Sequence, residues 1–296
     1  MARKSVARYR ITKSRSILYL AAAGALLLGL RVPGAGLARA QEGRGAKPPA
    51  TAKAAAVIDM TGYWVAIVNE DWRWRMLTPG KGDYASLPLN SEGHRVADLW
   101  DPAKDKAEGN ECRAYGAGNI MRIPERLHIF WADDNTLEMD TDAGMQKRLF
   151  HFNGPKWQGG PLQWQGDSVA RWEKQVQYGG DAAYGGPSPG KGGDLEVITT
   201  HMRSGYLRKN GVPYSENAVI SEYYNVFYPE GPQGTVYLTV TTGIDDPKYL
   251  SSTYVTSGQF RREPDGSKWD PTPCRPLWPL QALLPPVGWN ENGPSR

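Results

Sequence analysis

The segment RLHIFWADDNTLEMDTDAGMQKRLFHF, residues 126–152, decides the fold class. Leu127, Ile129 and Trp131 recur at every second position, which is the side-chain period of a β-strand. The Asp-Asp-Asn turn at 133–135 leads into TLEMDT, where the alternation repeats, and an Ala-Gly turn leads into QKRLFHF. The segment therefore predicts consecutive short strands joined by tight turns.

Similar runs extend this pattern along the chain. They lie at residues 63–68, 162–173, 195–202, 218–228, 235–242 and 254–262. About nine short strands separated by turns rich in Gly, Asp or Asn favour an antiparallel meander closed into a barrel or a sandwich. We predict an all-β, antiparallel up-and-down barrel over residues 57–296, with an irregular tail from about 263 wrapped over it. One short helix is expected within 90–108, capped by Asn90 or Ser91. The glycine-rich stretch 178–193 is expected to form a mobile loop or a lid.

The N-terminal segment has the pattern of a secretory leader. Residues 1–16 are strongly basic, 17–30 are uncharged and apolar, and Leu37-Ala38-Arg39-Ala40 offers small residues before a cleavage site. We expect cleavage after Ala40, although an uncleaved anchor is the alternative. Residues 41–56 are expected to be a flexible spacer. The protein is thus predicted to be periplasmic or secreted, without a membrane span once the leader is removed.

Charge excludes one class of partner. Residues 1–40 hold eight of the 35 Lys and Arg and none of the 31 Asp and Glu, so the remainder has 27 basic and 31 acidic residues. A protein that binds the phosphate backbone should keep a basic surface after leader removal. We therefore expect no nucleic-acid partner.

The two cysteines, Cys112 and Cys274, match the number needed for one bridge in an oxidising compartment. The alternative is a pair of buried thiols. No CxxC or HExxH spacing occurs, so we expect neither a metal site nor a cofactor.

Two resemblances support this interpretation. Gly62-Tyr63-Trp64 resembles the opening motif of lipocalins, in which the Trp packs across one barrel end, often under an Arg of the last strand; Arg261 or Arg262 is the counterpart here. About residues 60–275 resemble an uncharacterised family of secreted bacterial proteins with lipocalin-like (calycin) features. The segments that carry this likeness are 88–102, 112–116, 133–152, 166–172, 194–200, 205–217 and 239–250, whereas 174–193 resembles an insertion. The likeness implies a location and a barrel-like fold but no reaction.

Polar residues on the predicted strands suggest where a ligand binds. Strand alternation puts Leu149 with His151 on one face, and Val169 with Arg171 on one face. If both faces turn inward, a cation and an imidazole converge in one cavity and favour an anionic ligand. The competing register puts Phe150, Phe152 and Trp172 inside instead. We favour the polar register and predict that the ligand-binding residues are Arg171, His151, Tyr214 and Trp172.

Three functions remain open at this point, and the oligomeric state is not predicted. The first is binding of a small, mostly apolar ligand, with or without an anionic group, in the barrel. The second is a lyase, isomerase or hydrolase that uses His151 or His201 with a carboxylate such as Glu222 as an acid–base pair. The third is contact with carbohydrate or the cell envelope, suggested by the Trp and Tyr content.

Overall fold

A computed structural model describes residues 51–174, 193–231 and 233–279. These ranges contain three short α-helices, α1 (Trp72–Met76), α2 (Ser91–Ala97) and α3 (Pro102–Ala107). They also contain two 3₁₀ helices, Glu111–Tyr115 and Ile120–Arg122. The strands are β1 (Gly62–Ile67), β2 (Arg126–Asp133), β3 (Thr136–Thr141), β4 (Ala143–Gly144), β5 (Lys147–His151), β6 (Asp167–Lys174), β7 (Gly193–Thr200), β8 (Gly205–Arg208), β9 (Val212–Tyr214), β10 (Val219–Phe227), β11 (Tyr237–Asp245), β12 (Tyr254–Glu263) and β13 (Thr272–Pro273).

Nine of these strands close a barrel in the order β1-β12-β11-β10-β7-β6-β5-β3-β2. The predicted all-β barrel is confirmed. One pair departs from a strict up-and-down meander, because β5 and β6 are parallel and pair Phe150 with Ser168 and His151 with Val169. Residues 152–166 therefore return along the barrel between the two strands instead of forming a tight turn.

The predicted single helix within 90–108 is two helices. Asn90 caps α2 by accepting a hydrogen bond from the backbone N–H of Gly93. Asp101 caps α3 at the backbone N–H of Ala103, and Pro102 occupies the first turn, where its missing N–H costs nothing. Pro102 thus begins α3, whereas α2 already ends at Ala97.

The barrel interior is filled by side chains. Trp64, Phe150, Tyr224 and Phe260 are completely buried there. Arg262 lies over the indole of Trp64, with its Cζ 4.7 Å from the ring centroid, so Arg262 rather than Arg261 takes the position that the lipocalin resemblance implies.

The end of the predicted flexible spacer is ordered, which corrects that prediction for residues 51–56. The backbone N–H of Ala52 donates to the side-chain oxygen of Asn135 (2.9 Å), and the carbonyl of Ala52 accepts from Nε1 of Trp172 (2.8 Å). The rings of Trp172, Phe152 and Trp131 lie 5.2–6.3 Å apart beneath this turn. Burial of aromatic surface thus fixes residues that composition alone describes as a linker.

The predicted disulfide between Cys112 and Cys274 is confirmed. It joins the 3₁₀ helix Glu111–Tyr115 to the tail, where β13 pairs with β4 and Trp269 packs edge-on against Tyr63.

Among the described residues, no helix is long and apolar enough to cross a membrane. The predicted leader 1–40, the glycine-rich stretch apart from Gly193, and the tail from residue 280 lie outside the described residues.

Candidate functional site

The structure does not bring Arg171 and His151 into one cavity, so that prediction is wrong. The side chain of Arg171 is 67% exposed on the outer face of β6, where it pairs with Glu196 and with Glu173 (3.0 Å). His151 is half-buried on the same side of β5 as the exposed Leu149. The other face of these strands buries Phe150 and packs Trp172 against the core, which removes more apolar surface from water. Of the predicted ligand residues on strands, Trp172 alone therefore faces the lumen.

The inward face carries an unexpected ion pair. Arg148 donates to both carboxylate oxygens of Glu222, at 3.0 and 2.6 Å, and both side chains are fully buried. Arg148 also donates to the Tyr224 hydroxyl (3.1 Å) and to Oγ1 of Thr199 (3.4 Å). Burial lowers and the Glu222 carboxylate raises the pKa of Arg148, and the net shift is upward. Arg148 therefore stays charged inside the barrel.

The three predicted catalytic residues are not assembled. Glu222 uses both oxygens on Arg148. Nδ1 of His151 lies 3.4 Å from the Thr136 hydroxyl, and burial lowers the pKa of this imidazole. His201 contacts the Thr200 hydroxyl through Nδ1 (2.8 Å) and stacks on Trp157 at 4.2 Å. No contact joins either histidine to Glu222 in the described part of the chain.

A cavity of about 270 Å³ lies outside the barrel. Its walls come from α2, α3, the 3₁₀ helix Glu111–Tyr115 and the hairpin formed by β8 and β9. The apolar walls include Leu99, Trp100, Tyr206 and Tyr214, and the polar groups are Asp101, Lys104, Asp105, Glu108, Arg113 and Ser204. Aromatic walls that enclose polar groups are a feature of small-molecule sites, and the charged groups of this cavity include both signs.

Arg113, Asp105 and Tyr206 form the polar centre of this cavity. Nη1 of Arg113 donates to Oδ1 of Asp105 (2.7 Å), and the Tyr206 hydroxyl donates to Oδ2 (2.7 Å). Burial raises the pKa of Tyr206, and the hydrogen bond to the Asp105 carboxylate raises it further. Nη1 is the one nitrogen of Arg113 that hydrogen-bonds to a described residue. The guanidinium is thus held in place, and its Nε and Nη2 have no hydrogen-bond partner among the described residues.

Two glycines allow aromatic side chains to pack closely in the wall of this cavity. A Cβ atom on Gly205 would lie 2.5 Å from the hydroxyl of Tyr214, and one on Gly211 would lie 2.1 Å from the Trp100 ring. Gly211 also has a φ of +82°, which L side chains rarely adopt. The buried hydroxyl of Tyr214 has no hydrogen-bond partner among the described residues. Tyr214, a predicted ligand residue, therefore does line a cavity, although a different one from the barrel cup.

Sequence reasoning missed Arg113, Asp105 and Trp100. Asp105 belongs to a region in which only the helix signal was recognised, whereas Trp100 lies in the segment 88–102, for which a family likeness was also predicted. Arg113 follows Cys112 in the segment 112–116, whose likeness to the secreted bacterial family was the available signal.

Within the described ranges, no group of three or more His, Cys, Asp or Glu side chains has the arrangement of a metal site. The chain matches no protein-family model and no curated protein sequence.

Proposed function

We propose that the protein is exported and binds a small, mostly apolar molecule that carries a carboxylate or carbonyl oxygen, in the cavity beside the barrel. The observation that carries this proposal is the oriented guanidinium of Arg113 among aromatic walls. Asp105 and Tyr206 fix it, so a ligand oxygen meets prepositioned donors and little side-chain entropy is lost on binding. The disulfide supports a site of action outside the cytoplasm.

The proposed binding site is the external cavity and not the barrel lumen that the sequence suggested, and the difference has a physical reason. The lumen is occupied by completely buried side chains such as Phe150 and Tyr224, whereas the external cavity is open beside the exposed side chain of Leu99. The acid–base alternative lacks a contact between Glu222 and a histidine, and the carbohydrate alternative rests on aromatic content alone.

Binding of anilinonaphthalene sulfonate, an apolar anion that fluoresces in apolar sites, tests this proposal. We expect wild-type protein to bind the probe, and Arg113→Gln to weaken its binding by about tenfold or more, because a hydrogen bond to a charged group contributes about 1.5–3 kcal/mol. Arg171→Gln is the matched control, since Arg171 also pairs with carboxylates but lies on the outer barrel face. Native mass spectrometry of protein from the periplasm identifies any ligand that co-purifies.

Circular dichroism spectra of Arg113→Gln and Arg171→Gln establish that both variants fold. If Arg113→Gln does not fold, Tyr206→Phe replaces it as the cavity variant. Tyr223→Phe is its control, because the Tyr223 hydroxyl also donates to a carboxylate, that of Glu196 (3.0 Å), but away from the cavity. Equal probe affinity in wild type, cavity variants and controls would exclude this site.

A further inference from the structure

We propose that Glu125 is a buried proton switch: as a neutral acid it keeps the α1 end of the barrel closed, and its ionisation loosens that end. Glu125 immediately precedes β2, and its backbone carbonyl accepts a hydrogen bond from the backbone N–H of Ala66 in β1 (2.9 Å). The residue is 5% exposed. It is not part of the proposed ligand cavity, so the proposal stands apart from that function.

The carboxyl group of Glu125 is buried without hydrogen bonds. Neither Oε1 nor Oε2 has a partner among the described residues. An ionised carboxylate in such a place pays a large desolvation cost without compensation, whereas a neutral carboxylic acid pays little. The geometry therefore favours the protonated form.

The titratable groups coupled to Glu125 come from four elements, and one of them is the Tyr115 hydroxyl of the 3₁₀ helix Glu111–Tyr115, whose pKa is raised by its own burial and also by Glu125. Asp142, between β3 and β4, is a second buried carboxyl that opposes ionisation of Glu125. Arg148 of β5 and Arg75 of α1 favour ionisation, but burial and Asp142 outweigh them and raise the pKa of Glu125 well above its ordinary value. Nε of Arg148 and Nη2 of Arg75 also lack hydrogen-bond partners. Four unpaired polar atoms thus lie in one electrostatically coupled region.

Arg75 links this region to α1. Its Nε donates to the carbonyl of Arg122 (3.0 Å), and its Nη1 donates to Oε1 of Glu70 (2.6 Å). Ionised Glu125 needs water or a donor, and it obtains one when Arg75 swings its unpartnered Nη2 towards the carboxylate and away from Arg122 and Glu70, or when the barrel end opens. Either response loosens α1 and the pairing of β1 with β2.

The direction with pH follows from linkage. Because the pKa of Glu125 is raised in the closed state, closure is most stable below the ordinary Glu pKa of about 4.3 and weakens as pH rises towards the higher value. Between the two values, the equilibrium constant for opening should rise about tenfold per pH unit. Glu125→Gln, which mimics the neutral acid, should remove this dependence.

Two measurements on the full chain test the switch. Infrared spectroscopy between pH 4 and pH 8 should show a carbonyl stretch of protonated carboxylic acid that persists to higher pH in wild type than in Glu125→Gln. Hydrogen exchange of residues 62–77 and 120–128 should be equal in the two proteins at pH 4 and faster in wild type at pH 8. Glu138→Gln is the control, because Glu138 is equally buried but has Lys147 as an ion-pair partner and should keep the wild-type pH dependence around α1.

If Glu125→Gln fails to fold, Asp142→Asn takes its place, since removal of the opposing carboxyl lowers the closed-state pKa of Glu125 and should make exchange around α1 accelerate less between pH 4 and pH 8 than in wild type. A carboxylic-acid band that disappears at the same pH in wild type and Glu125→Gln, or exchange around α1 that is the same in both proteins at every pH, would overturn the proposal.

Discussion

Replacement of Glu222 by glutamine should lower the free energy of unfolding by about 3–5 kcal/mol, because it leaves Arg148 charged and buried without a counter-ion. Both side chains are completely inaccessible to water, and Arg148 donates to both oxygens of Glu222. Urea denaturation followed by circular dichroism measures the loss as a lower midpoint.

The matched control for this result is Glu196→Gln. Glu196 lies on β7, one register position from Glu222's partner Val197, and pairs on the outer face with Arg171, whose side chain is 67% exposed. Glu196 itself is 7% exposed, but its cation lies in water, and ion pairs screened in this way contribute only about 0–1 kcal/mol. The double variant Arg148→Met with Glu222→Leu should recover much of the stability that Glu222→Gln loses, since it removes both buried charges. Equal losses in Glu222→Gln and Glu196→Gln would contradict a stabilising role for the buried pair.

The strands were predictable from the sequence and the face they turn inward was not. Alternation identifies β5 and β6 directly, because the period of two is a local property. The choice of inner face is not local here, since both faces of β5 mix a large apolar residue with a cation or an imidazole. Arg148 is tolerated inside because Glu222 lies opposite it, and these residues are 74 positions apart in the chain. No local pattern reveals that pairing.

The external cavity was beyond sequence reasoning for a similar reason. Its walls come from separate helices and a hairpin that lie outside the barrel. Arg113 becomes a candidate binding residue only when Asp105 and Tyr206 are seen to hold it. The disulfide was predictable because two cysteines allow one pairing, and Trp64 because its motif is short and contiguous.

Removal of the disulfide in Cys112→Ser/Cys274→Ser should lower the free energy of unfolding by about 2–5 kcal/mol. The bridge spans 162 positions, and closing so long a loop removes much of the entropy of the unfolded chain. Urea denaturation with and without reductant measures the effect, and reductant should lower the midpoint of wild type but not of the double variant.

The same variant should also bind anilinonaphthalene sulfonate more weakly than wild type. Cys112 directly precedes Arg113 in the 3₁₀ helix that forms one wall of the cavity, so the bridge holds the backbone that positions the guanidinium. Measurement at low urea, where both proteins are folded, separates this effect from the loss of stability. If the midpoint falls while probe affinity is unchanged, the bridge stabilises only the tail. In that case the contacts with Asp105 and Tyr206 are sufficient to position Arg113. If both fall, the bridge positions Arg113 as well as stabilising the fold.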